Sequence, residues 1–241
     1  MTQNGDQESP RKLLVTGASG GIGGAITRRL LNRGHRVVAL SRDFSHWPDQ
    51  TGLHKHSLDL ADLDALPPLL AEITADHPDL DGAVLNAGSG RFGNLEEFSY
   101  QQISELVAIN LTQHLYLARA LVPLFKRKAR SDLITIGSEA ALTGGRKGAV
   151  YSACKFALRG FSQSIRAECS GSGVRVSLIN PGMVDTDFYE NLNFKPGDKP
   201  ENALRAEDIA NTVMLVLEAH PGTVFDEIDL NPLKRVIAFK N

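Results

Sequence analysis

Cysteine is nearly absent from this chain: Cys154 and Cys169 are the two in 241 residues, too few for a disulfide framework and without the spacing of a metal site. An excess of either charge is missing too. The 26 Lys+Arg against 28 Asp+Glu leave a formal net charge of -2, which offers no field for a polyanion or an anionic membrane. No apolar run approaches the roughly 20 residues that span a bilayer, and Met1 to Glu8 lacks the basic and apolar regions of a signal peptide. There is no internal repeat and no low-complexity linker. Nucleic acid and membrane are therefore not expected partners, no metal is expected, and the chain reads as a soluble cytoplasmic protein with reduced thiols.

What is present is a core-sized apolar fraction, 42% of residues, enough for one domain near the upper end of the usual size. The polar residues 1–10 read as a mobile leader and 11–241 as a single domain. Lys12 to Thr16 is a short apolar run ending in a glycine-rich turn, as a buried strand does. Ile22, Ile26, Leu30 and Leu31 then recur at helical spacing up to Gly34, before strand character returns at His35 to Leu40. The alternation continues with strands expected near 54–58, 81–85, 132–137, 174–180 and 224–230 and helices near 62–76, 100–128, 149–169 and 206–219. About seven strands alternating with helices predict an α/β fold, a Rossmann-like doubly wound parallel sheet covered on both faces. The segment 185–202, with Pro196, Gly197 and Pro200 and no clear periodicity, suits a mobile substrate lid.

Three stretches carry chemistry. Thr16-Gly17-Ala18-Ser19-Gly20-Gly21-Ile22-Gly23 joins the first strand to the first helix, where free N–H groups and the helix dipole attract phosphate. Its spacing, Gly17-x-x-x-Gly21-x-Gly23, is a relative of the G-x-G-x-x-G fingerprint, although a glycine turn alone also serves as a tight connection. Leu40-Ser41-Arg42-Asp43 ends the second strand, where an acid suits a ribose 2′-hydroxyl and an arginine a 2′-phosphate. Ser41 and Arg42 favour NADP(H), Asp43 keeps NAD(H) open, and Arg42 also suits a plain surface turn. Finally, Tyr151 and Lys155 stand four residues apart on one helix face. A cation so close to a phenol is expected to lower its pKa from about 10 toward a usable acid.

On these motifs the chain, from about residue 12 to 232, resembles the classical short-chain dehydrogenase/reductase family. The resemblance matches Thr16, Gly17, Gly21 and Gly23 to the family's cofactor turn, Asp59 to an adenine contact, and Asn86-Ala87-Gly88 to a signature whose preceding Asn is Leu85 here. It implies catalysis by Asn110, Ser138, Tyr151 and Lys155. Tyr151 would be the acid/base, Ser138 the substrate-oxygen donor, Lys155 the holder of the nicotinamide ribose, and Asn110 the anchor of a water-linked proton relay. Pro181, Gly182, Val184 and Thr186 would meet the nicotinamide, with Thr186 reaching its carboxamide; Ser19, Ile22 and Leu60 complete the expected cofactor set. A homodimer or homotetramer is implied, with a small carbonyl or alcohol as substrate.

The expected activity is thus NADPH-preferring interconversion of a carbonyl and a secondary alcohol. A small 3-hydroxy acid dehydrogenase is the alternative within that class. A dinucleotide-binding sensor without turnover, or an isomerase or dehydratase with tightly held nucleotide, are alternatives outside it. His54-Lys55-His56 reads as a plain strand, Lys126 to Arg130 as charge favourable at a helix C-terminus, and Cys154 as a packing residue. Arg146 and Lys147 read as solvated loop charge, with attraction of a substrate carboxylate as the other reading.

Overall fold

A computed structural model describes residues 10–240 of the chain; apart from Pro10, the expected leader 1–10 lies outside the described residues. Seven parallel strands form the central sheet: β1 (Lys12–Thr16), β2 (Arg36–Ser41), β3 (Leu53–Ser57), β4 (Gly82–Leu85), β5 (Ser131–Ile136), β6 (Val174–Pro181) and, late in the chain, β10 (Glu227–Leu230). Their order is β10-β6-β5-β4-β1-β2-β3, with every ladder parallel. The order reverses between β1 and β4, which places a crevice at the C-terminal strand ends, the position where such sheets take ligands.

Alternation along the strands feeds two cores. On β1, Leu13 and Val15 join one core and Leu14 the other; on β2, Val37 and Ala39 separate likewise from Val38 and Leu40. This is the two-residue period of a sheet buried on both faces. Helices α1 (Gly21–Asn32) and α6 (Ala206–Glu218) cover the first face; α2 (Leu66–Asp76), α4 (Gln113–Phe125) and α5 (Ala149–Glu168) cover the second.

Departures from expectation have local causes. The helix expected from 62 begins at Leu66, because the Asp62 carboxylate accepts from the N–H groups of Asp64 and Ala65 in a preceding turn and Pro67-Pro68 open the helix. The single helix expected over 100–128 is instead α3 (Tyr100–Val107), a π-helical turn (Ala108–Thr112) and α4. The strand expected from 224 starts at Glu227.

Segment 185–202 carries short structure rather than none. It includes part of β7 (Val184–Asp185), which pairs with β9 (Leu204–Arg205), and all of β8 (Phe194–Pro196), which pairs antiparallel with β11 (Ile237–Phe239). These strands are too short to leave a period in the sequence. Lys126 and Lys128 donate to the carbonyls of Glu168 and Pro78, and Arg130 to those of Leu217 and Ala219. The basic run thus joins neighbouring elements. Among the described residues no helix is long and apolar enough to cross a membrane, and no group of three His, Cys, Asp or Glu is placed to hold a metal.

Candidate active site

The glycine turn is latched to the loop after β4. The Thr16 hydroxyl accepts from the N–H groups of Asn86 (2.9 Å) and Ala87 (3.0 Å), while the Asn86 amide donates to the Thr16 carbonyl at 3.0 Å. This close approach excludes side chains: a Cβ on Gly17 (φ +63°) would lie 2.9 Å from the Asn86 amide nitrogen, and one on Gly23 would lie 2.1 Å from the Gly17 carbonyl oxygen. Helix α1 starts from Gly20 with no side-chain cap and no acid in its first turn, so its leading N–H groups suit an anion. A Cβ on Gly20 would meet nothing within 4 Å. Thr186 stands over the same turn, 3.5 Å from where a Gly21 Cβ would be, and both line a cleft of about 290 Å³. These residues fit a dinucleotide pyrophosphate, with Ile22 half-buried behind them.

At the tip of β2, Ser41 meets Ser19 hydroxyl to hydroxyl at 2.7 Å, and Arg42 beside it is exposed. The Asp43 carboxylate is turned into its own loop, accepting from the Ser45 N–H at 2.7 Å and hydroxyl at 2.8 Å. Those bonds hold its pKa below the usual value. Arg42 carries its charge at this tip with no intraloop partner of the kind that Asp43 has in Ser45. Asp59 lies exposed just beyond β3, accepting from the Ala61 N–H at 3.0 Å, with Leu60 buried next to it. On the far side Gly182 donates to the Leu230 carbonyl at 2.7 Å, and Pro181 and Val184 are buried.

Asn110 lies in the π turn, fully buried. Its amide donates to the carbonyls of Ser89 (2.9 Å) and Leu106 (3.1 Å), and its carbonyl accepts from the Ser89 N–H at 3.1 Å. The side chain in the π turn thus also fixes the 88–89 loop. A Cβ on Gly88 would come within 2.8 Å of the Asn110 carbonyl oxygen and 3.8 Å of the Lys155 nitrogen. With its amide engaged in this way, the Asn110 side chain positions the loop and the kink.

Ser138 caps the single turn Glu139–Ala141 by accepting from the Ala140 N–H at 3.1 Å, and its hydroxyl acts to lower the pKa of the Tyr151 phenol. Helix α5 sets Tyr151 and Lys155 one turn apart, both buried, with the Lys155 nitrogen 5.6 Å from the Tyr151 ring centre and donating to the Ile136 carbonyl at 3.3 Å. Burial pushes the phenol up to about 12, opposed by the Ser138 hydrogen bond. Burial likewise takes Lys155 down to about 8. Desolvation sets the direction of both shifts.

Sequence reasoning missed two parts of this neighbourhood. His114, fully buried, is held neutral with a pKa of about 3 by burial and then by Lys155. The aromatic rings of Phe92 and Phe188 lie 5.3 and 6.2 Å from that of Tyr151, centre to centre. Loop aromatics carry no period, though Phe188 lies only two residues beyond Thr186. Arg146 and Lys147 are exposed; Lys147 has φ +62°, and its carbonyl accepts from the Gly93 N–H at 2.8 Å.

The family model described as short chain dehydrogenase matches residues 11–196. The NADP-dependent 3-hydroxy acid dehydrogenase YdfG of Escherichia coli strain K12 is 33% identical over 95% of this chain and 98% of its own. Its Salmonella typhi namesake is 30% identical over 94% and 96%. Among solved structures, the closed form of serine dehydrogenase complexed with NADP+ superposes with a TM-score of 0.78 at 27% identity, covering 91% of this chain and 94% of that one. The alcohol dehydrogenase of the archaeon Thermococcus sibiricus complexed with 5-hydroxy-NADP gives 0.83 at 26% identity, covering 94% and 98%. With the glycine turn, the Asn86-Ala87-Gly88 latch and the Ser138, Tyr151 and Lys155 grouping at one crevice, the chain belongs to the short-chain dehydrogenase family.

Proposed function

We propose that this protein is an NADPH-preferring oxidoreductase that interconverts a carbonyl and a secondary alcohol, with Tyr151 as acid/base. The observation that carries this reading is the grouping of Ser138, whose hydroxyl opposes the upward shift of the Tyr151 phenol, with Lys155 5.6 Å from the Tyr151 ring centre. When bound, the nicotinamide cofactor supplies or accepts the hydride. Ser138 orients the substrate oxygen by hydrogen bonding, and Tyr151 gives that oxygen its proton during reduction. A phenol pushed up to about 12 stays protonated at neutral pH, which is the form reduction needs. Lys155 holds the nicotinamide ribose, and Asn110 keeps the adjoining loop in register for a proton relay through the kink.

The preference for NADPH is supported by Arg42 being exposed while Asp43 is occupied by Ser45. It is also supported by the NADP named in the relatives and in the solved complexes. Asp59 and Leu60 would flank the adenine, and Pro181, Gly182, Val184 and Thr186 the nicotinamide, with 185–202 as the lid over the substrate.

A homodimer or homotetramer is part of the proposal, supported by an apolar groove of about 340 Å³ between Ile103, Val107 and Leu111 on one side and Val150 and Ala153 on the other. The two buried free thiols support a cytoplasmic setting. Dehydrogenation of a small 3-hydroxy acid is the second reading, favoured by the 33% identical relative of that name. NADPH and NADH consumption at 340 nm with ketones, aldehydes and 3-oxo acids tests the proposal. It requires turnover that favours NADPH, and no turnover with either cofactor despite cofactor binding would move the chain to the sensor class.

A further inference from the structure

Five aromatic rings close a circuit around the proposed acid. Tyr151 touches Phe92 (5.3 Å between ring centres), Phe92 touches Phe194 (5.1 Å), Phe194 touches Tyr189 (5.9 Å), Tyr189 touches Phe188 (5.2 Å), and Phe188 returns to Tyr151 (6.2 Å). The pairs are tilted or edge-to-face, the geometry that aromatic quadrupoles prefer. Three separate segments supply the four new rings: the loop after β4, the single turn Asp187–Tyr189 and strand β8. Gly90 keeps room for them, since a Cβ there would lie 2.6 Å from the tip of Phe188 and 3.0 Å from Phe92. All four are partly buried, so each keeps some surface outside the circuit.

Burial raises the pKa of both the Tyr151 and the Tyr189 phenols, and a carboxylate placed among the rings would likewise lose its water. Lys155, 5.6 Å from the Tyr151 ring centre, is itself desolvated and donates to the Ile136 carbonyl. The cations brought nearest by the C-terminal segment already have partners. Arg235 lies 3.5 Å from Glu139 and 2.6 Å from the Asn231 side-chain oxygen. Lys240 donates to the carbonyls of Tyr189 (2.6 Å) and Glu190 (2.8 Å). Lys195 pairs with Asp198 at 2.6 Å.

We propose that Phe92, Phe188, Tyr189 and Phe194 form an aromatic cage that makes the preferred substrate an uncharged carbonyl compound carrying an aryl or other planar apolar group, rather than a small free oxo or hydroxy acid. The inference rests on the reading of Tyr151 as acid/base and decides between the two substrate classes left open above. In the reduction, the ketone carbon would gain a hydride from NADPH and its oxygen the Tyr151 proton, leaving the alcohol, NADP+ and a Tyr151 phenolate that regains its proton from solvent. The substrate's planar group takes the place of a ring-to-ring contact within the circuit.

Three 3-oxo compounds separate ring from charge: acetoacetate, ethyl acetoacetate and ethyl benzoylacetate, each reduced by the full chain with NADPH. The expected kcat/KM rises in that order, by about tenfold or more from end to end. In Phe92→Leu and Phe188→Leu the preference for the benzoyl over the acetyl ester falls about fivefold, through KM, and Phe188→Tyr restores it. NADPH affinity measured alongside confirms that each variant is folded. Preference for acetoacetate, whether through Arg146 and Lys147 or otherwise, overturns the cage while leaving the reductase reading intact. An unchanged ester ratio in both leucine variants also overturns it. Turnover of none of the three with NADPH bound would overturn the reductase reading, and the cage with it.

Discussion

The hydroxyls of Ser19 and Ser41 meet at 2.7 Å, which ties the glycine turn to the tip of β2. The Trp47 indole reinforces the tie by donating to the Ser19 carbonyl at 2.8 Å. Arg42 follows directly, beside an Asp43 that is engaged elsewhere. Arg42→Ala should therefore weaken NADPH by roughly tenfold to a hundredfold, the loss expected for charge-assisted bonds to a phosphate, while NADH changes little. Titration of each cofactor against the fluorescence of Trp47, the single tryptophan, measures this. Equal weakening of the two cofactors would contradict the 2′-phosphate role.

Lys155 is costly to bury. Its pKa falls from 10.5 to about 8 on burial, so the folding stability it withholds is regained only as pH rises from about 8 toward its unfolded value. At pH 7 the ammonium costs the native state on the order of 3 kcal/mol. Lys155→Met should therefore raise the denaturation midpoint at pH 7 while abolishing turnover, and its advantage should shrink by pH 10. Urea midpoints at both pH values check this; a variant no more stable than wild type at pH 7 would contradict it.

Asp132 is the hub of a buried ionic network. Its carboxylate lies 2.7 Å from both Arg11 and Arg175, and Arg175 also donates to the carbonyls of Val216 and Leu217 at the end of α6. Removing the shared anion leaves the buried Arg175 without a carboxylate, while Arg11 keeps Asp81 at 3.2 Å, so Asp132→Ala should cost about 3 kcal/mol. Equilibrium unfolding reads the loss; a change below about 1 kcal/mol, the level of an exposed pair, would show that the network contributes little.

Much of this fold is legible in the residue pattern because buried parallel strands are short, continuous and bounded by turns. Lys12 to Thr16 and 174–181 show this plainly. The expectation of one long helix over 100–128 fails at Asn110, where a side chain bonding to Leu106 and Ser89 competes with the regular ladder and opens a π turn. The aromatic circuit is equally hidden. Phe92 lies in a loop, Phe188 and Tyr189 in a single turn and Phe194 in a three-residue strand, where neither period nor spacing announces a contact. The state of the buried phenol is hidden for a different reason: four-residue spacing shows a neighbouring cation but says nothing of the desolvation that shifts both groups.

The central claim is that Tyr151 delivers the proton, and Tyr151→Phe tests it most directly because it keeps the ring contacts with Phe92 and Phe188 while removing the hydroxyl. Single-turnover reduction of the best uncharged ketone by enzyme preloaded with NADPH isolates the chemical step. The account predicts a loss of about 10²–10⁴-fold in that step, with NADPH affinity retained. A Tyr151→Phe protein that transfers hydride as fast as wild type would contradict it.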